Sequence, residues 1–506
     1  MKYTGKERHK KETAVEITGI YKGYTRSFGF VVTPDGEDDV YVAEENRMTA
    51  MNNDKVVVHV TSGAARRRKE GTVVSVLERA NETLVGTYDR QADFGFVTPD
   101  DERIHEDVYV PLDKACDARS GARVLVRITK WPEGAHKAEG EIERVIGYNG
   151  DKDLDIKVIM ARHRLPFAFP QEVLEAAEKI DKTVKAEKGL NDYRDRQLIT
   201  IDGEDAKDLD DAVDAVRLEN GNYRLGVYIA DVSRYVKAAS VIDAEAYERG
   251  TSVYLIDRVI PMLPEVLSNG ICSLNAGEDR YSMTCVMEID RNGTVVRADI
   301  GPAVIRVKRR CNYKEIKKAL VDGIVPADLA PFMPMIGILR EISQILRQMR
   351  LRRGAVDFDF PEYKIILDPE GRPLRLEERR RTVAEQIIEE SMLIANETVS
   401  AYLESSGNPS VFRIHEIPDS DRIELMKTVL SVFNLPIPSA TDAKPAEFQR
   451  LLALAKGTEA EQVVQTVALR AMQQARYATV NAGHFGLAST SYTPVSYTHL
   501  TLPTNR

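Results

Sequence analysis

The sequence predicts a multidomain α+β chain, with two small N-terminal β-barrels followed by a larger domain that mixes strands and helices. Three observations lead there. The chain has 506 residues, which at about 150 residues per domain is too long for one core. Residues 1–150 carry a pattern of short alternating strands that occurs twice. Beyond them, apolar runs of strand length (Leu198–Ile201 and Leu225–Ala230) coexist with a stripe of apolar residues at 384, 387, 388, 392, 395 and 399, whose spacing predicts a helix over Thr382–Glu404. The chain divides accordingly into segments 1–80, 81–150 and 151–494, with 495–506 as a short tail.

Composition narrows the class of protein. With 43% hydrophobic and 29% charged residues, the chain can bury sizeable cores and is not fibrous or largely disordered. No apolar run approaches the roughly 18 residues of a membrane helix, so no membrane partner is expected. Met1–Glu12 mixes Lys, Arg, His and Glu with no apolar segment behind it, and no secretory signal is read there. Cys116, Cys272, Cys285 and Cys311 form no CxxC pair, which argues against a disulfide framework or structural zinc and for a cytoplasmic location. A net charge of −9 argues weakly against a general nucleic-acid binder. Basic clusters at Lys6–Lys11, Arg66–Lys69, Arg306–Arg310, Arg350–Arg353 and Arg379–Arg381 read equally well as solvated helix ends or loops. Nothing calls for a nucleotide cofactor or an obligate oligomer, and a monomer is expected.

The repeat carries the first chemical signal. Gly19-Ile-Tyr-Lys-Gly-Tyr-Thr-Arg-Ser-Phe28-Gly29-Phe30-Val31 is followed by Asp39-Val-Tyr-Val42. Gly86-Thr-Tyr-Asp-Arg-Gln-Ala-Asp-Phe94-Gly95-Phe96-Val97 is likewise followed by Asp107-Val-Tyr-Val110. Short strands punctuated by Gly, Asp and Pro indicate small barrels. Within each Phe-Gly-Phe, the two rings share one strand face and the glycine turns to the other. Paired exposed rings can stack unpaired bases, whereas a lone motif of this kind would read as barrel core. The duplicated pattern resembles the cold-shock family of OB-folds, which implies that Phe28, Phe30, Phe94 and Phe96 face single-stranded RNA.

The second signal is acidic. A strand-like run ends at Asp202, and a loop then delivers Asp205, Asp208, Asp210 and Asp211 before the next apolar run. So many carboxylates repel one another unless a cation neutralises them, and carboxylates with water are the ligands Mg²⁺ prefers. An EF-hand starting at Asp208 would need glycine where Val213 stands, so that option fails. A solvated acidic loop or an Asp-rich helix start stays open from spacing alone.

Ile201-Asp-Gly-Glu-Asp-Ala-Lys-Asp-Leu-Asp-Asp-Ala-Val213 resembles the signature of the ribonuclease II / ribonuclease R family of 3′→5′ exoribonucleases. Further matches follow in order: Val227–Ser233, Arg249–Tyr254, Val259–Asn275, Ile388–Asn396, Phe412–His415 and Asn481–Ala488. The resemblance runs from about residue 15 to about 492 and implies a catalytic domain over 151–494. It further implies a processive, Mg²⁺-dependent enzyme that degrades single-stranded RNA and RNA with 3′ overhangs to nucleoside 5′-monophosphates. Two cations can activate water and stabilise both reacting oxygens. Carried over by motif position, Asp202, Asp208, Asp210 and Asp211 would hold the metal, with Asp210 essential for the chemistry. Tyr254 and Phe358 would wall in the stacked bases, and Tyr313 and Glu389 would contact ribose. For Phe358 the alternative is core packing with Phe360, and for Glu389 a surface position. His415 and His484 are given no catalytic role.

After Ala488 the family pattern continues toward an arginine that clamps the reacting phosphate, a glutamate and a further OB-type domain. Here Ser491-Tyr-Thr-Pro-Val-Ser-Tyr-Thr-His-Leu-Thr-Leu-Pro-Thr-Asn-Arg506 departs from it, and 495–506 reads as a truncation or artefactual tail. That departure sets a second reading against the first, a noncatalytic or inactive truncated RNA-binding protein of the same fold.

Overall fold

Alternating valines close the first barrel. Strands Val15–Gly23, Gly29–Val32, Val40–Val42, Lys55–Ser62 and Lys69–Glu78 join in the ring order first-second-third-fifth-fourth. A parallel pairing of the third and fifth strands, Val40 opposite Lys69, completes the ring. Thr83–Arg90, Phe94–Pro99, Val108–Pro111, Ala122–Lys130 and Glu139–Gly147 repeat that order, again closed by a parallel pair, Tyr109 opposite Glu139. This is the five-stranded OB topology. The computed structural model describes residues 15–25, 28–33, 39–62, 69–132, 136–358, 360 and 362–493. The cluster Lys6–Lys11, most of Arg66–Lys69 and the 495–506 tail lie outside the described residues. Among the described residues no helix is long and apolar enough to cross a membrane.

Inside each barrel one tyrosine replaces several aliphatic side chains. Tyr21 and Tyr88 are buried among valines, and each lies against the glycine of the neighbouring Phe-Gly-Phe strand. A Cβ on Gly29 would be driven into the Tyr21 ring, and one on Gly95 into the Tyr88 ring. The glycine thus turns inward because the tyrosine leaves no room for a side chain, and that places Phe28 and Phe30, or Phe94 and Phe96, on the outer face.

The chain divides into two compact units, Met1–Ala168 and Phe169–Arg506. In the first, an Arg47–Glu106 ion pair spans the two barrels. Arg79, just past the first barrel, donates to Asp54 Oδ2 at 2.9 Å and to the Thr49 carbonyl at 2.6 Å. Its guanidinium also stacks on Trp131, 4.2 Å from the ring centre. The helix Leu154–Arg162, counted by sequence with the third segment, packs Ala161 against Val85 and Ile146 of the second barrel.

The second unit is built on a seven-stranded sheet. Its spatial order is Asn191–Asp192, Val295–Arg306, Asp279–Ile289, Tyr223–Ala230, Asp211–Arg217, Ile199–Asp202 and Arg309–Asn312. The helices Met333–Arg353 and Val383–Ser405 cover one face, burying Ile336, Leu339, Ile387 and Ile388 on Ile201, Val213, Leu225 and Met287. Thr382 and Glu385 form a capping box that starts the second helix, close to the predicted Thr382–Glu404 span. The opposite face packs Leu209, Tyr228, Leu274 and Ile305 together. Three further helices, Ser420–Leu430, Pro445–Ala455 and Glu461–Ala471, make a separate core around Phe448.

A histidine pair joins that helical core to residues 483–489. His415 Nδ1 accepts from the Gly486 N–H at 2.9 Å, which leaves Nε2 to donate to the Gln473 carbonyl at 2.8 Å. The His484 ring lies edge-on to it at 5.1 Å, and its Nδ1 accepts from the Leu487 N–H. Both rings are structural. Burial holds both below the usual histidine range, and His484, which also faces His415 and Arg413, is pushed down to about 3.

Two outcomes follow. Gly95→Ala overpacks the second barrel by about 1–3 kcal/mol; Trp131 is the only tryptophan and packs on that barrel's core, so its fluorescence in a urea titration reads the loss, and an unchanged midpoint refutes the clash. The histidines bind fewer protons folded than unfolded, so their contribution is complete above about pH 6.5 and shrinks as pH falls toward 3, by up to about 1.4 kcal/mol per unit per ring. Urea midpoints followed by far-UV circular dichroism at pH 7.5 and 5.0 should fall, and His484→Gln should flatten that fall; equal slopes would sink the assignment.

Candidate active site

Asp202 is the last residue of its strand and is 1% exposed. The connection then runs over 203–210. Asp211, assigned by sequence to the loop, instead opens the next strand, Asp211–Arg217, and is buried. The pairing Ile199–Val213 joins these two strands, so the end of one and the start of the other bring Asp202 and Asp211 together. Between them Asp208 and Asp210 are half-buried, and Asp205 is exposed and paired with Lys364 at 3.1 Å. The loop is held through its backbone. Arg310 Nη2 donates to the carbonyls of Ala206 at 2.6 Å and Glu204 at 3.1 Å. The Asp210 carbonyl accepts from the Ala230 N–H at 2.9 Å.

Two tyrosines face this acidic group. The parallel register Asp202 opposite Asn312 places Tyr313, the first residue of the helix Tyr313–Lys317, beside the strand end; Asn312 caps that helix in a capping box with Glu315. Burial raises the Tyr313 hydroxyl above the usual phenol range, and the charges of Asp211, Asp202 and Glu385 raise it further. Tyr254 lies on the short strand Val253–Tyr254, is 51% exposed and donates to Asp208 Oδ2 at 2.8 Å. Its hydroxyl is raised by burial, then by that hydrogen bond and the charges of Asp208 and Asp210. Both phenols therefore stay protonated beside carboxylates. The donor set is all oxygen, part buried and part accessible, and this chemistry fits a hard divalent cation. Among the described residues no three of the carboxylates converge on one point, and Asp208 is turned to Tyr254.

Phe358 and Glu389 belong to a different cluster. Glu389 is 8% exposed rather than on the surface, and Arg381 Nη1 donates to both its oxygens at 3.0 and 3.2 Å. Arg381 Nη2 reaches Asp357, which also pairs with Arg347. Arg350 is buried against Glu390 at 2.7 Å. Three arginines thus bind three carboxylates. Desolvation raises Glu389, with the charges of Arg381 and Arg350 acting against it. Phe358 follows Asp357 directly, stacks on Phe360 with ring centres 5.7 Å apart and packs against the C-terminal helical core. Glu385, one turn before Glu389 on the same helix, links this cluster to the field around Tyr313.

On the barrels the ring pairs form small aromatic platforms. Phe28 and Phe30 each lie 5.3–6.0 Å from one another, from Tyr41 and from Tyr24, with Tyr24 and Phe28 stacked. Phe94, Phe96 and Tyr109 repeat the arrangement, with the Lys137 ammonium 4.9 Å from the Phe96 ring centre.

Sequence reasoning missed Arg310, Arg350 and Arg381. All three sit in basic clusters that read as solvated, yet they bind loop carbonyls or buried carboxylates. The one available signal was the Glu389-Glu390 pair on an apolar helical stripe, a place where unpaired charge is not tolerated.

Residues 190–506 match the RNB domain, 96–170 the Cold shock domain and 19–76 the Ribonuclease B OB domain. The chain is 42% identical to Ribonuclease R of Thermotoga maritima over 490 residues, covering 96% of this chain and 68% of the relative. It is 40% identical to Ribonuclease R 1 of Lactococcus lactis over 514 residues, covering 98% and 62%. Among solved structures, Mycoplasma genitalium RNase R in complex with ribose-methylated single-stranded RNA matches with a TM-score of 0.88 at 25% identity, over 94% of this chain and 76% of that one. The chain spans about two thirds of the length of these curated relatives. The similarity runs along nearly the whole chain, through both OB-type barrels and the sheet domain, and the chain belongs to the ribonuclease R family of RNB-domain proteins.

Proposed function

We propose that this chain is a 3′→5′ exoribonuclease that hydrolyses single-stranded RNA, and RNA with 3′ overhangs, to nucleoside 5′-monophosphates. The observation that carries the reading is the placement of Asp202 at a strand end, Asp211 at the start of the next strand and Asp208 and Asp210 on the loop between them, with Tyr254 and Tyr313 beside them. Membership of the ribonuclease R family supports it, as does the single-stranded RNA bound by the Mycoplasma genitalium relative.

Each residue then has a task. Asp202 and Asp211 are buried and would form the fixed part of a Mg²⁺ site, with Asp208 and Asp210 completing it from the accessible side. When bound, divalent cations supply an acidic water and neutralise charge on the phosphoryl oxygens. The water oxygen adds to phosphorus as the P–O3′ bond breaks; the released nucleotide keeps its 5′-phosphate, and the shortened chain gains a 3′-hydroxyl. Asp210 orients the attacking water. Tyr254, half-exposed and anchored on Asp208, presents its ring to the terminal bases, and Phe358 lines the stack from the other side. Tyr313 donates to the ribose 2′-hydroxyl, the group that separates RNA from DNA. Glu389 acts through the arginine cluster that fixes its carboxylate. Phe28, Phe30, Phe94 and Phe96 hold the incoming strand by stacking, worth about 1–3 kcal/mol per base and indifferent to sequence.

The test is a 5′-labelled RNA with a 3′ overhang, incubated with Mg²⁺ and then with EDTA. Stepwise shortening from the 3′ end is expected with Mg²⁺ alone. Asp210→Asn keeps the side-chain shape but removes the charge, and should lower the rate by at least about 10³-fold while RNA affinity changes less than about threefold. Turnover by that variant near the unsubstituted rate, or no shortening by the unsubstituted chain, overturns the reading. Tyr313→Phe should narrow the preference for RNA over DNA of the same sequence.

A further inference from the structure

The motif Ile271-Cys-Ser-Leu-Asn275 lies on no strand of the sheet, and the function above gives it no task. Yet Ser273 is 1% exposed and touches the acidic loop on both sides of Asp208. Its Oγ donates to the Lys207 carbonyl at 2.9 Å and accepts from the Leu209 N–H at 3.1 Å. The other acceptor within reach, Asn275 Oδ1, is farther away at 3.4 Å. One residue on, the Leu274 N–H donates to the Leu209 carbonyl at 2.7 Å, and both leucines are buried in one cluster.

The serine is itself fixed from behind. Arg280 is buried, its Nε donates to the Ser273 carbonyl at 2.7 Å, and its Nη2 reaches the Gly270 carbonyl at 3.3 Å. The Ser273 N–H donates to that same Gly270 carbonyl at 3.1 Å. With Leu209 drawn inward, its neighbours Asp208 and Asp210 stay half-exposed on the accessible side.

We infer that Ser273 is a positioning residue for Asp208 and Asp210: its hydroxyl clamps the backbone around Asp208 and sets where the two accessible carboxylates stand. The inference rests on reading the aspartates as a cation site. Removing the hydroxyl takes away the partner of the buried Leu209 N–H and of the part-buried Lys207 carbonyl. The loop must then shift to reach water, and both carboxylates shift with it. Groups that orient metal ligands in this way typically change metal affinity by about 10–100-fold when lost.

The experiment uses the full chain with two readouts, neither of them turnover: hydrogen exchange at the Leu209 amide, and Mn²⁺ binding followed by electron paramagnetic resonance of the free ion. Ser273→Ala should speed exchange at Leu209 at least about tenfold relative to amides of Tyr223–Ala230, and weaken Mn²⁺ binding by about 10–100-fold. Ser273→Cys keeps an atom in place with a weaker hydrogen-bonding group and should fall between, which preserves the test if the alanine variant does not fold. Thr284→Val removes another buried hydroxyl, one bonded to the Gly301 carbonyl at 2.9 Å, and should move neither readout. Unchanged Leu209 exchange, or equal Mn²⁺ binding in the serine variants and the unsubstituted chain, overturns the inference. If the unsubstituted chain binds no Mn²⁺, the cation reading fails by itself, and the exchange arm alone decides whether the serine positions the loop.

Discussion

Asp202, Asp208, Asp210 and Asp211 follow one another closely along the end of one strand, a loop and the start of the next, and like charges so placed need the backbone around them held. Two of these carboxylates are buried, where water screens least and repulsion is strongest. Left to itself, such a loop would splay. It is held by its backbone: one end is a sheet strand, the other opens the next strand, and the carbonyls between are bound by Arg310 and by the Ala230 and Leu274 amides. Those bonds go to main-chain atoms, while the Asp208 carboxylate accepts from Tyr254 on the rim. The phenols of Tyr254 and Tyr313 on its rim are raised first by burial and then by these same carboxylates.

The arginines of the second unit answer a different demand. Arg347, Arg350 and Arg381 are committed to Asp357, Glu389 and Glu390. Burying Arg350, Glu389 and Glu390 and half-burying the other three charges carries a large desolvation cost, so clusters of this kind add little net stability. This one imposes an arrangement instead. It ties the end of one long helix, the segment leading into Phe358 and the first turns of another helix to one another.

Much of this was legible in the sequence, for identifiable reasons. The barrels announced themselves through a two-residue alternation written twice, and the helix from Val383 through an apolar stripe and a Thr-Glu capping box. The acidic loop stood out because carboxylates rarely cluster between apolar runs. What stayed hidden depended on pairings across long stretches of chain. Arg381 and Asp357 are 24 positions apart, and Ser273 and Lys207 are 66 apart; nothing local distinguishes a serine that bridges two amide groups from any other buried serine. Glu389 lay at the edge of its helical stripe, where the pattern says only that one flank is apolar. That Asp211 opens a strand rather than ending the loop was invisible for a simpler reason: aspartate is depleted in strands.

The inward glycine and its tyrosine in each barrel have a consequence for how such a domain can vary over time. Removing the tyrosine ring leaves a hole, and adding a methyl group at the glycine makes a collision, so neither position can change alone without passing through a less stable intermediate. The two positions form an epistatic pair, open only to simultaneous replacement. On the outer face the two copies differ: Tyr24 occupies in one the place that Gln91 occupies in the other. A duplicated module of this design is free to diverge in what it binds while its interior stays the same.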